Sequence, residues 1–100
     1  MDRDELSREL GFTREDIDLL MEMFEINARR SLLEMEEAID RGDREGIVHT
    51  AHAIKGIAGN LKMEALFALA RELEAIAEVG QDEDYAGYHR RLTQEINAVI

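Results

Sequence analysis

Proline is absent from all 100 residues, while glutamate, leucine, alanine and arginine are abundant. Proline in a helix interior costs about 3 kcal/mol relative to alanine, and the four abundant types are among the better helix formers. The chain therefore reads as all-α, and its glycines and capping residues divide it into segments. A short first helix, about Arg3 to Leu10, stops at Gly11. Thr13 can cap a long second helix, with Asp16 three residues on completing a capping-box variant. Along it Ile17, Leu20, Met21, Phe24, Ala28, Leu32, Met35 and Ile39 recur in three- and four-residue steps, one helical stripe. Gly42 suits a left-handed end to that helix, and Asp43 can cap the next; the RGD triplet is thus a turn, not an adhesion motif.

The third helix, about Arg44 to Leu61, carries Ile47, Ala51, Ile54, Ala58 and Leu61 on one side. The fourth, about Glu64 to Val79, carries Leu66, Leu69, Ala70, Leu73, Ile76 and Ala77; the last, about Glu83 to Val99, carries Tyr85, Tyr88, Leu92, Ile96 and Val99. Four main amphipathic helices with short connections imply an antiparallel four-helix bundle, with the short additional N-terminal helix over one end. Residues 1–100 are expected to form one domain, with the main helices within 12–100.

Charge narrows the partners. Asp and Glu number 23 against 12 Lys and Arg, a net charge of -11 that repels phosphate backbones and anionic lipid surfaces. Nucleic-acid and membrane partners are not expected. No cysteine is present, which excludes disulfides and thiolate metal sites and fits a cytoplasmic location. The N-terminal MDRDELSREL has no apolar h-region, so no signal peptide is expected, and no apolar run approaches the roughly 20 residues of a membrane span.

One stretch departs from these rules: HTAHAIKGIAGN, His49 to Asn60, places Gly56 and Gly59 inside a helix. Each glycine costs the helix about 0.8–1.0 kcal/mol relative to alanine. On a helical wheel with His52 at zero, Lys55 falls about 60° to one side, Gly56 about 40° to the other, and Gly59 within about 20°. The apolar stripe lies on the far side. An exposed imidazole beside bare backbone lets a second protein's active site reach the ring, and Lys55 adds a cation suited to a phosphoryl group. For Lys55 alone, a solvated surface lysine is the simpler reading.

The turn between the third and fourth helices centres near Lys62 and Met63. Symmetric pairing about it places Glu74 across from His52, where its carboxylate can accept a hydrogen bond from imidazole Nδ1–H. That contact holds the tautomer whose Nε2 lone pair is free to attack. An ordinary surface glutamate is an equal reading.

The segment AHAIKGIAGN resembles the histidine phosphotransfer (HPt) domain motif, in which a histidine is followed by lysine and glycine at the third and fourth positions. His52, Lys55 and Gly56 match it, Gly59 matches a second frequent glycine, and LKMEALFALARELE resembles the family's next helix. The resemblance covers about Thr13 to Ile100. It implies a phosphorelay carrier with His52 as phosphoacceptor through Nε2, Lys55 holding phosphoryl oxygens and Gly56 leaving room for the partner. The implied partners are a response-regulator receiver domain and a sensor or hybrid histidine kinase. No cofactor is intrinsic to such a carrier, Mg²⁺ being expected in the receiver's acidic pocket, and no kinase or phosphatase activity of its own is implied. Two positions differ from the family: many members have glutamine where Glu74 falls, and a small residue, commonly glycine, where Lys62 stands.

Three other readings compete. A pure docking module would bind a receiver or kinase through the same face without accepting phosphate. A metal site at His49 and His52 lacks a third ligand in sequence. A self-contained hydrolase lacks any Ser–His–Asp or paired-carboxylate arrangement on the bundle. A monomer is expected. The initial Met and the length suit a free-standing protein, and a domain of a hybrid kinase would read the same.

Overall fold

The computed structural model describes residues 3–100. The expected domain span of 1–100 thus includes Met1 and Asp2, which lie outside the described residues. Among the described residues all regular structure is helical: α1 Arg3–Leu10, α2 Arg14–Arg41, α3 Arg44–Asn60, α4 Glu64–Glu78 and α5 Tyr85–Val99.

The capping signals act where the sequence placed them. Thr13 and Asp16 form a reciprocal capping box at the start of α2, and the Asp43 carboxylate accepts from Gly46 N–H at the start of α3. Each such cap is worth about 0.5–2 kcal/mol. α5 begins at Tyr85 and not at Glu83, because Asp84 is its cap and accepts from Gly87 N–H. α3 and α4 each end one residue earlier than the apolar pattern predicts.

The turns after α2 and α3 share one hydrogen-bond design. After α2, Asp43 N–H bonds the Ala38 carbonyl and Gly42 N–H that of Ile39, with Gly42 left-handed at φ 67°. After α3, Met63 N–H bonds Ala58 and Lys62 N–H bonds Gly59 in the same pattern, which is the Schellman arrangement. Here Lys62, not glycine, takes the left-handed position, at φ 57°. A side chain in that region costs roughly 1–2 kcal/mol.

α2 packs on α3, α3 on α4, α4 on α5 and α5 back on α2, while α1 packs on α2. α2 has 28 residues, about 42 Å at about 1.5 Å per residue, close to the molecule's 43 Å long dimension. The other main helices are little more than half as long, so the N-terminal part of α2 projects beyond them. α1 covers that part, with Leu6 buried and the pairs Arg3–Asp18 and Arg14–Asp4 at its rim. These exposed pairs contribute little.

The core follows the sequence stripes, with Ile17, Phe24, Met35, Ile54, Leu73 and Leu92 at its centre. Leu20, Ile39, Leu69, Ile76, Tyr85 and Val99 flank it, partly buried. No helix of the described residues is long and apolar enough to cross a membrane.

Candidate functional site

Two sets of contacts fix how α3 faces α4. Near the turn Gly59 lies against Phe67, and farther along His52 meets Glu74. The two helices therefore run in opposite directions, and their register follows from the short Leu61–Met63 connection. On α3, the inner residues Ala51 and Ile54 are 0% and 1% exposed. The His52 side chain between them projects outward and is 68% exposed.

Glu74 sits beside Leu73 and Ala77 at the margin of the apolar face of α4, and its side chain is only 11% exposed. Each of its oxygens has one partner. Oε2 lies 2.6 Å from His52 Nδ1, and Oε1 accepts from Lys55 Nζ at 2.6 Å. Burial pushes the Glu74 carboxyl pKa up, but the hydrogen bonds and positive charge of Lys55 and His52 outweigh it, and the net shift is downward. The group is therefore an ionised carboxylate, which can only accept hydrogen bonds. A neutral His52 making this contact carries its proton on Nδ1 and leaves the Nε2 lone pair free.

Sequence reasoning pointed to the His52–Glu74 contact and missed the one between Lys55 and Glu74. It placed the lysine beside the ring as a free cation. The missing signal is that Lys55, one turn from His52, lies on the same α4-facing side and reaches the same carboxylate.

The two glycines differ. A Cβ built on Gly56 would meet nothing within 4 Å, so the helix is open to solvent there. A Cβ on Gly59 would lie 3.4 Å from the Phe67 ring, an ordinary packing contact within the chain. Arg71 lies over that ring, 5.8 Å from its centroid. Both glycines are exposed, off the core side of α3; Gly59, near the turn, has the Phe67 side chain of α4 beside it, and Gly56 has no such neighbour.

An open groove of about 440 Å³ runs along the seam from His52 and Glu74 toward Arg44, Val48, His49 and Glu78. His49 is exposed on its wall. Among the described residues no group of three or more His, Cys, Asp or Glu side chains is placed to hold a metal ion.

A second feature was not singled out in the sequence. Leu19, Met23, Ile26 and Leu33 form an exposed row on α2, at 57%, 50%, 59% and 59%. Their four-, three- and seven-residue spacing was legible as a second stripe opposite the core stripe. A shallow groove joins Met23 and Asn27 of this row's flank to Ile57 and Asn60 on α3.

The arrangement is an all-helical domain that holds one imidazole by its Nδ1 and leaves most of the ring exposed. The Hpt domain family model matches residues 19–100. The chain belongs to the Hpt domain family, the histidine phosphotransfer modules of two-component phosphorelays. No curated protein and no solved structure matches it.

Proposed function

We propose that this chain is an antiparallel four-helix-bundle phosphoryl carrier, accepting and donating the group at His52 Nε2. The observation that carries the proposal is the pairing of an exposed imidazole with a carboxylate at Nδ1. In the forward step the Nε2 lone pair attacks the phosphorus of a receiver's aspartyl phosphate. An N–P bond forms, the P–O bond to the aspartate breaks, and the aspartate leaves with the electron pair as a carboxylate. The proton stays on Nδ1, so the phosphorylated ring is cationic, and Glu74 faces that charge. The reverse step returns the phosphoryl group to a second receiver aspartate.

Gly56 leaves the backbone low where the receiver must approach, and the apolar row on α2 with Ile57 supplies a surface for it to bury. Mg²⁺ belongs to the receiver's own acidic pocket. A sensor or hybrid histidine kinase charges the system, the carrier contributing no kinase or phosphatase activity. We assign it to the cytoplasm, acting as a monomer.

The test is incubation with phosphorylated receiver domains. Acid-labile phosphate is expected on the wild-type chain and none on His52→Gln. Equal labelling of the variant would remove His52 from the role. Binding without labelling of the wild-type chain would make it a docking module.

A further inference from the structure

The geometry points to a second copy of this chain as an occupant of the exposed row on α2, the two copies pairing antiparallel about a two-fold axis at Ile26. This goes beyond the proposed function. The carrier acts as a monomer, and the pair is its idle form, in which the row is closed to a receiver. The pairing does not depend on phosphotransfer; only its idling consequence rests on the carrier reading.

Leu19 and Leu33 lie equally far before and after Ile26 in sequence, and all three are more than half exposed. A seven-residue step returns to within about 20° of the same helix face, so the three side chains form one straight seam. A two-fold contact uses the same patch on both copies. In the antiparallel arrangement a residue before the axis meets the one equally far after it on the other copy. With the axis at Ile26, Leu19 meets the second copy's Leu33, and Ile26 meets its own equivalent.

The charges beside the seam follow the same symmetry. Glu22 and Arg30 lie equally far before and after Ile26, about 40° to opposite sides of it. Antiparallel pairing superimposes those opposite offsets, so each Glu22 faces the second copy's Arg30, and two ion pairs flank Ile26. Both residues are exposed, and neither has an ion pair in its own chain among the described residues; Arg30 hydrogen-bonds Asn27. Met23 meets the aliphatic stem of the second copy's Arg29 in the same way. A parallel pair would instead set Glu22 on Glu22 and Arg30 on Arg30. Like-charged matches lie outside this strip. Asp18, already paired with Arg3 and Arg14, falls opposite Glu34, and Asp16 opposite Glu36, all about 80° off the seam. Glu15 falls opposite Glu37 toward the ends, where crossing helices diverge. The net charge of -11 on each copy keeps the contact weak and concentration-dependent, as an idle form that a receiver displaces must be.

Sedimentation of the full wild-type chain is expected to show a monomer–dimer equilibrium in the millimolar range, abolished by Ile26→Asp. Glu22→Arg and Arg30→Glu are each expected to weaken it, and their equimolar mixture to restore it. Asp82→Arg, the same charge change as Glu22→Arg but in the exposed connection before α5, is expected to leave it unchanged. Circular dichroism checks that each variant is folded. The chain has no cysteine, so single cysteines under oxidised glutathione report the register. A disulfide needs Cα atoms about 4.4–6.8 Å apart. Ile26→Cys is expected to link to its equivalent. Leu19→Cys and Leu33→Cys, each about 21 Å along the helix from its own equivalent, are expected to link several-fold less alone and to recover when mixed. The linked Ile26→Cys chain is expected to accept phosphate from a receiver about tenfold more slowly than its reduced form. A wild-type chain that stays monomeric throughout, a charge-variant mixture that pairs no better than its parts, or equal linking by Leu19→Cys alone and Ile26→Cys overturns the inference. Equal transfer by the linked and reduced chains overturns the idle role. A chain that pairs in this register and accepts no phosphate upholds the pairing while overturning the carrier reading.

Discussion

On its inner side α3 presents Ile47, Ala51, Ile54 and Ala58, none more than 3% exposed and all packed into one apolar cluster. On its outer side the same 17 residues present His52, Lys55 and Gly56, two polar groups meeting one carboxylate and a stretch of uncovered backbone. The inner side gains stability from contact area. The outer side gives up helix propensity and shields a charge, and gains a defined ring nitrogen and an approach path. A single helix separates the two tasks because its 3.6-residue period keeps them on different faces. A change on one side should therefore leave the task of the other almost untouched.

The largest expected effect lies on the inner side. Ile54→Ala should destabilise the fold by about 2–5 kcal/mol through lost burial and a residual cavity, whereas His52→Gln should stay within about 0.5 kcal/mol of wild type. Chemical denaturation of the two variants measures the contrast, and similar losses would mean the sides are coupled.

Next comes access. Gly56→Trp should slow transfer from a phosphorylated receiver by about tenfold or more, equivalent to about 1.4 kcal/mol, with the thermal midpoint near that of wild type. An unchanged rate would show that the receiver does not come close at this point. Smaller again is the propensity effect. Gly56→Ala should stabilise by about 0.8–1.0 kcal/mol, since nothing lies within 4 Å of the new Cβ. Gly59→Ala should gain less, because its Cβ arrives against the Phe67 ring; an equal gain would show that ring yielding freely.

The smallest effect is the acid dependence of Glu74. Its native pKa is lowered, so the unfolded chain takes up this proton first as pH falls. Its contribution is fully present above the unfolded carboxylate value of about 4.3 and is lost as pH drops through the lower native value. Glu74→Gln should flatten the stability profile in that window relative to wild type. Superimposable profiles would mean the carboxylate is not held in the folded state.

Helix order, the caps at Thr13 and Asp43 and the inner face of α3 were legible in the sequence, because each is written in residues at most four positions apart. The contact between His52 and Glu74 was legible as a pairing, since a short turn fixes which residues of two neighbouring helices meet. Its partner contact from Lys55 was not, because two donors on α3 compete for one acceptor and only side-chain placement decides that both succeed. The neighbour of Gly59 was not legible for a related reason. Its angle on the wheel resembles that of Gly56, but its nearness to the turn brings Phe67 over it, and a wheel carries no information about the neighbouring helix.

The lysine in the turn after α3 gives the molecule an unused margin. Lys62 occupies a left-handed position that Gly42 fills after α2 with the same hydrogen bonds. Replacing it with glycine relieves the side-chain clash and loosens the unfolded chain, for a net gain of about 0.5–1 kcal/mol. Lys62 lies ten residues from His52, about 15 Å along the helix, far enough for the two sites to add independently. A Lys62→Gly background would thus serve as a neutral chassis, in which destabilised variants of the inner face such as Ile54→Ala can be compared at more nearly equal foldedness.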